Sequence, residues 1–175
     1  MEKLITIIII VGLFTGCSSK ELSREEASKI IKQEMKYPKV VDYDLFCGDP
    51  VYAKKVLDAG LEEKGLVTVH RTLKLGDIGK PIIEFTDKAK PYLLPTPEED
   101  KKSLIQKVKI ADEELVDVTG IQTSEGGKRA IAEYTTAYKN ISDFAALTRR
   151  NYNKPGTNKA YFALYDDGWR LEKRR

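Results

Sequence analysis

Residues suited to nucleophilic or metal chemistry are scarce in this chain of 175 residues, which holds two cysteines, Cys17 and Cys47, and one histidine, His70. His70 falls in a β-rich stretch over residues 66–75 beside Arg71, and no catalytic or metal-binding partner for it is evident. Carboxylates are plentiful but poorly placed. Asp112-Glu113-Glu114 lacks the ordered oxygen spacing of a calcium loop, and neighbours on a strand point to opposite faces, so they do not converge as general acid and base. Asp166-Asp167-Gly168 reads as turn chemistry at a strand end. The patterns Gly-x-x-x-x-Gly-Lys, Gly-x-Ser-x-Gly and His-Glu-x-x-His do not occur. The expectation is a protein with no metal, no cofactor and no catalytic residues.

Cys17 has a different setting. It closes an apolar run, Leu4 to Phe14, in which Thr6 is the one polar side chain. The run follows Lys3, ends in small residues and is shorter than the roughly 20 residues a membrane-spanning helix needs, so it reads as an export signal. Phe14-Thr15-Gly16-Cys17 resembles the lipobox of bacterial lipoproteins, whose signal is cleaved before a cysteine carrying a diacylglyceryl group on its sulfur. The resemblance implies cleavage between Gly16 and Cys17, a signal peptide over residues 1–16, a lipidated tether over residues 17–22, and attachment to membrane lipid through acylated Cys17. Because Ser18 stands where aspartate would favour the inner membrane, it also implies an outer membrane facing the periplasm in a Gram-negative cell. Cleavage removes Glu2 and Lys3, one charge of each sign, so the net charge stays at +3. It leaves Cys47 with no cysteine to pair with, best read as a buried small hydrophobe. One cysteine and one histidine also cannot supply a conventional nitrogen and sulfur set for zinc.

The elements that would position these residues follow from spacing. Ser23-Arg24-Glu25-Glu26 is a capping box and predicts a helix over residues 24–36, stopped by Pro38. A strand is expected over residues 40–46, then the turn Gly48-Asp49-Pro50. Asp49 should cap a helix over residues 50–64 that Gly65 ends. Residues 66–75 and 81–85 predict a hairpin, with a short cap helix over residues 86–90 cut by Pro91. The helix end Leu57-Asp58-Ala59-Gly60-Leu61, the hairpin, and Phe85-Thr86-Asp87-Lys88-Ala89-Lys90 together resemble the second half of a winged helix, which implies a winged-helix-like subdomain over residues 23–94. No nucleic-acid partner is expected, because Lys54, Lys55 and Lys64 are balanced by Asp58, Glu62 and Glu63.

Two prolines and a charge run mark residues 95–102 as a linker. Residues 103–175 then read as a small antiparallel β-sheet subdomain. Leu104, Gln106, Val108 and Ile110 alternate, as do Val116 and Val118. Ala130, Ala132, Tyr134, Thr136 and Tyr138 share one face of a long strand. Residues 141–152 fit either a helix or a loop. A last hairpin turns at Asp167-Gly168 in a type I′ conformation, with Phe162, Leu164, Trp169 and Leu171 on its buried face.

The fold class is therefore α+β. Tyrosine, tryptophan and arginine are favoured at binding surfaces, so Tyr134, Tyr138, Arg149, Arg150, Tyr161 and Trp169 are the candidate surface, and residues 173–175 form a basic tail. The functional expectation is a membrane-anchored envelope lipoprotein, a non-enzymatic binding or assembly module contacting another envelope protein through the C-terminal sheet or its edge. Alternatives are an inhibitor or immunity-type lipoprotein against a toxin or hydrolase and, third, a cell-envelope enzyme.

Overall fold

A computed structural model describes residues 21–72, 76, 79–124 and 126–172. The proposed signal peptide, Gly16, Cys17, most of the tether and the basic tail lie outside the described residues. The mixed α+β class holds. Among the described residues a five-stranded antiparallel sheet runs in the order β1 (Lys39–Phe46), β4 (Ile105–Thr123), β5 (Arg129–Lys139), β6 (Gly156–Tyr165) and β7 (Gly168–Glu172). A second sheet pairs β2 (Val67–Val69) with β3 (Ile83–Phe85).

Strand β4 is the spine. Its first part pairs with β1 on one edge, and its later part pairs with β5 on the other. Three register shifts bend it, leaving Ile110, Val116 and Thr119 as extra residues against the facing strands. Each bulge resets the alternation, so the buried residues Leu115 and Val118 are three apart. The expected pairing of Val116 with Val118 on one face fails for this reason: Val116 is 59% exposed and Val118 is buried. Strict period-two reasoning does not survive a bulge.

Two cores divide the molecule along β4. In the first, Val108, Ile110 and Ala111 of β4 pack with Leu45, with Ala53 and Val56 of α2 (Pro50–Asp58), with the β2–β3 hairpin, and with Phe144 and Leu147 of a 3-10 turn over Asp143–Leu147. In the second, Leu115 and Val118 pack with Ala132, Tyr134, Phe162 and Trp169 beneath Leu22, Ala27 and Ile31 of the segment leading into and through α1 (Arg24–Glu34). The proposed division at residues 95–102 does not separate two cores. Strand β1 belongs to the same sheet as β5–β7, and that stretch is a loop followed by the short helix α3 (Glu98–Lys102). It is also tied down, because the Leu94 amide donates to the Lys107 carbonyl at 3.0 Å and the Lys107 amide to Thr96 Oγ1 at 3.0 Å.

Local sequence chemistry explains most element ends. Ser23 accepts from the Glu26 amide at 3.0 Å, and Asp49 from the Val51 amide at 2.7 Å, as their cap positions require. Helix α2 stops well short of residue 64. Gly60 adopts φ 68°, a left-handed conformation that suits glycine and ends the helix, while Leu61 and Leu66 stay buried in the turns that follow. The hairpin strands are also shorter than expected. They hang from β1, since the Cys47 carbonyl accepts from the amides of Ile82 at 2.7 Å and Ile83 at 3.0 Å. Residues 50–92 form a helix, a hairpin and a 3-10 turn (Asp87–Tyr92), and the strand β1, not a helix, precedes α2. The last hairpin turns one residue earlier than predicted. Tyr165 faces Gly168 across Asp166 and Asp167, neither of which has the positive φ of a type I′ turn, and Gly168 takes φ 126° instead.

Candidate docking edge

Strand β1 ends the five-stranded sheet on one side, and among the described residues no other strand pairs with its outer edge, whose last carbonyl, that of Phe46, accepts from the Asp49 amide at 3.2 Å in the following turn. Its eight extended residues span about 27 Å. The side chains sort by parity. Val41, Tyr43 and Leu45 turn toward the first core, and Val40, Asp42, Asp44 and Phe46 form the exposed row. Val40 is 51% exposed and Phe46 36%, and just beyond them Val51, on the first turn of α2, is 72% exposed. Native proteins usually blunt such an edge, so an open one flanked by exposed apolar side chains is a template for another chain.

The aromatic groups beside this edge are held in place. The Tyr52 ring lies 4.8 Å from Phe46 and 6.3 Å from Tyr43, centroid to centroid. Lys55 Nζ donates to Tyr43 Oη at 2.6 Å and stands 4.9 Å from the Tyr43 ring centroid. Loss of hydration, with the Tyr43 phenol next to it, raises the Tyr52 hydroxyl above its ordinary value against the opposing pull of Lys55. Val51, Tyr52, Lys54, Lys55 and Asp58 line a shallow 380 Å³ hollow at the same place. The acidic residues are anchored unequally. Lys107 Nζ lies 2.6 Å from Asp44 but 3.7 Å from Asp42, and the Asp44 hydrogen bond raises the lysine above its usual range. Lys109, which faces Asp42 across the ladder, is drawn instead to Asp112 at 2.7 Å.

The six residues predicted as a binding surface fall in separate places. Tyr134 and Trp169 are buried in the second core and form no surface. Tyr134 shares a strand face with Ala130, Ala132 and Thr136, which α1 helps to cover, and its hydroxyl donates to Met35 Sδ at 3.4 Å. Its ring meets Tyr37 edge-on at 6.3 Å, and burial, then the hydrogen bond with Tyr134, drives the Tyr37 phenol far above its ordinary value. Tyr138 and Arg150 do meet: Nη1 donates to the phenol oxygen at 2.9 Å, and Tyr152 packs edge-on at 5.0 Å. Arg149 is exposed nearby in sequence. Tyr161 lies on the opposite face from Tyr134, in a 320 Å³ cleft with Gln122, Arg129, Ile131 and Glu172.

The open edge of β1 is not among the residues expected to form a surface, although one signal for it stands in the sequence. A half-buried strand should be apolar at one parity, and residues 40–46 carry Val40 and Phe46 at one parity and Val41 and Leu45 at the other.

The remaining chemistry-bearing groups have structural places. His70 is exposed, with Nε2 3.3 Å from Glu84 of the hairpin, and its amide donates to the Ile82 carbonyl at 2.8 Å. Burial pushes the Cys47 thiol up to about 11, away from nucleophilic chemistry at neutral pH. Among the described residues no three His, Cys, Asp or Glu side chains converge as a metal site, and no helix is long and apolar enough to cross a membrane. No protein-family model, curated protein or solved structure matches the chain.

Proposed function

We propose that this protein is a bacterial envelope lipoprotein, anchored through acylated Cys17, that works without catalysis as a docking module for another envelope protein. The observation that carries the reading is the open edge of β1 with exposed Val40 and Phe46, and exposed Val51 on the first turn of α2 just after it. A strand edge offers backbone hydrogen bonds for affinity and alternate side chains for specificity, and it needs no catalytic group. The lipobox-like residues Phe14 to Cys17 support the anchor, since two or more acyl chains on one cysteine give stable attachment. The helix, hairpin and cap over residues 50–92 are read here as a winged-helix-like unit used for packing: it fills the first core and props Tyr52 and Lys55 against β1.

Crosslinking in intact membranes, followed by purification, tests the reading. The native chain should recover a discrete envelope protein that a Cys17→Ala variant loses, and mass spectrometry of the mature N-terminus should find an acylated Cys17. Equal recovery from both variants, or none from either, would remove the anchored-docking reading.

A further inference from the structure

The exposed row of β1 reads Val40, Asp42, Asp44, Phe46, apolar side chains flanking two carboxylates. Directly opposed side chains of an added strand lie on the same face, where opposite charges and apolar pairs stabilise and like charges destabilise. The ladder inside the protein leaves this row short of positive charge. Asp44 takes the Lys107 ammonium at 2.6 Å, Asp42 keeps only a 3.7 Å approach to it, and the lysine opposite Asp42 is committed to Asp112. Resting on the docking role proposed for β1, we infer that the occupant is an extended segment of a different protein carrying two Lys or Arg residues two positions apart, with an apolar side chain two positions beyond each. Laid antiparallel on β1, such a segment sets its cations against Asp42 and Asp44 and its apolar ends against Val40 and Phe46.

A second copy of this chain does not satisfy the same edge. Antiparallel self-pairing with matched faces opposes a carboxylate to its own copy (Asp42 to Asp42 or Asp44 to Asp44), Asp42 to Asp44, or an apolar side chain to a carboxylate (Val40 to Asp42 or Phe46 to Asp44), according to register. The first two place like charges together, and the third buries an apolar side chain against a carboxylate. The acidic pair thus disfavours self-association along β1 while favouring a basic strand.

The test uses the full-length protein in a non-ionic detergent and two synthetic peptides, acetylated Ile-Thr-Lys-Thr-Lys-Thr-Ile and the same peptide with both lysines replaced by glutamate. Amide chemical shifts of β1 should move with the lysine peptide, and the glutamate peptide should bind roughly tenfold more weakly or not at all. In Asp42→Lys/Asp44→Lys the preference should reverse. An Asp42→Asn/Asp44→Asn variant should bind both peptides alike while keeping the native melting temperature, which guards against a folding defect in the charge reversal. Equal binding of the two peptides to the native protein, or shifts confined to other strands, would overturn the inference. If neither peptide binds while a native partner still crosslinks to β1, the basic-strand inference falls and the docking reading stands. If nothing crosslinks to β1, the docking reading itself falls.

Discussion

The two halves of the sheet are built differently. In the second half, β5, β6 and β7 form continuous two-residue ladders, and α1 closes one face with Ala27 and Ile31 at helical spacing. The first half is assembled from distant pieces: α2, a short hairpin, two 3-10 turns and the loop at residues 93–96. Its joints are single groups. The Cys47 carbonyl holds β3, Thr96 holds the loop to β4, and Ser142 donates from Oγ to the Lys109 carbonyl at 2.5 Å beside the Ile110 bulge. The regular half also receives the chain from the proposed anchor through Leu22 and ends in the short edge strand β7, and the irregular half ends in the longer edge strand β1. Both ends of the sheet are edge strands, but β1 offers eight residues with exposed apolar side chains against the five of β7.

Excavating each core should produce the largest loss of stability. Phe144→Ala in the first half and Phe162→Ala in the second, both fully buried, should each cost about 3–5 kcal/mol. Trp169 is the one tryptophan and reports on the second half. Because β4 runs through both cores, Phe144→Ala should lower the Trp169 fluorescence midpoint together with the far-ultraviolet circular dichroism midpoint. A Trp169 transition left unmoved would show that the halves melt separately.

A smaller perturbation addresses the joints. Ser142→Ala strands the Lys109 carbonyl at the bulge and should cost about 1–2 kcal/mol in denaturant unfolding. Thr136→Val is the matched change in the second half. The Thr136 hydroxyl is buried and accepts from Asn158 Nδ2 at 3.3 Å, a long bond, so its loss should cost less.

Acid sharpens the contrast further. In the first half Glu62 accepts from the Val69 amide at 2.8 Å and from Arg71 at 2.5 Å, and those bonds, the amide first, hold its carboxyl below the ordinary range. Asp112 is lowered by Lys109 and then Asn140. A carboxylate depressed in the folded state stabilises fully above its unfolded value, and the contribution is lost as pH falls through the lower folded value. Stability should therefore drop below the ordinary carboxylate range, with amide-exchange protection of Val69 lost before that of β6. Asp167, lowered by Arg170 in the second half, serves an exposed turn, and Asp167→Asn should change the acid profile little. Simultaneous loss of protection in both halves would contradict the contrast.

The smallest expected effect is on stability at the edge. Val51→Ser and Val40→Thr should stay within about 0.5 kcal/mol of the native protein in denaturant unfolding while reducing partner capture. A large loss of stability would mean these side chains serve folding rather than docking.

Legibility in the sequence follows local regularity in either half. Where pairing is regular, period and caps suffice: Ala130, Ala132, Tyr134 and Thr136 face inward as predicted, Leu164 and Trp169 pair on the last hairpin, and Ser23 and Asp49 cap their helices. Reading failed where backbone geometry breaks the period, at the bulges of β4, at Gly60 and in the last turn. Pairing of β1 with β4 crosses about sixty residues, and nothing local in either strand names the other. The candidate surface suffered from the same cause. Aromatic composition drew attention to Tyr134 and Trp169, but burial depends on which face α1 covers, and that is a long-range fact.

Site-specific photo-crosslinking in intact cells tests the central claim most directly, with the photoreactive group at Val40 on the open edge or at Tyr165, an exposed residue of the second half. Docking along β1 predicts one dominant crosslinked protein from position 40, weakened by Asp42→Lys/Asp44→Lys, and little or none from position 165. A partner captured at 165 and not at 40 would contradict it.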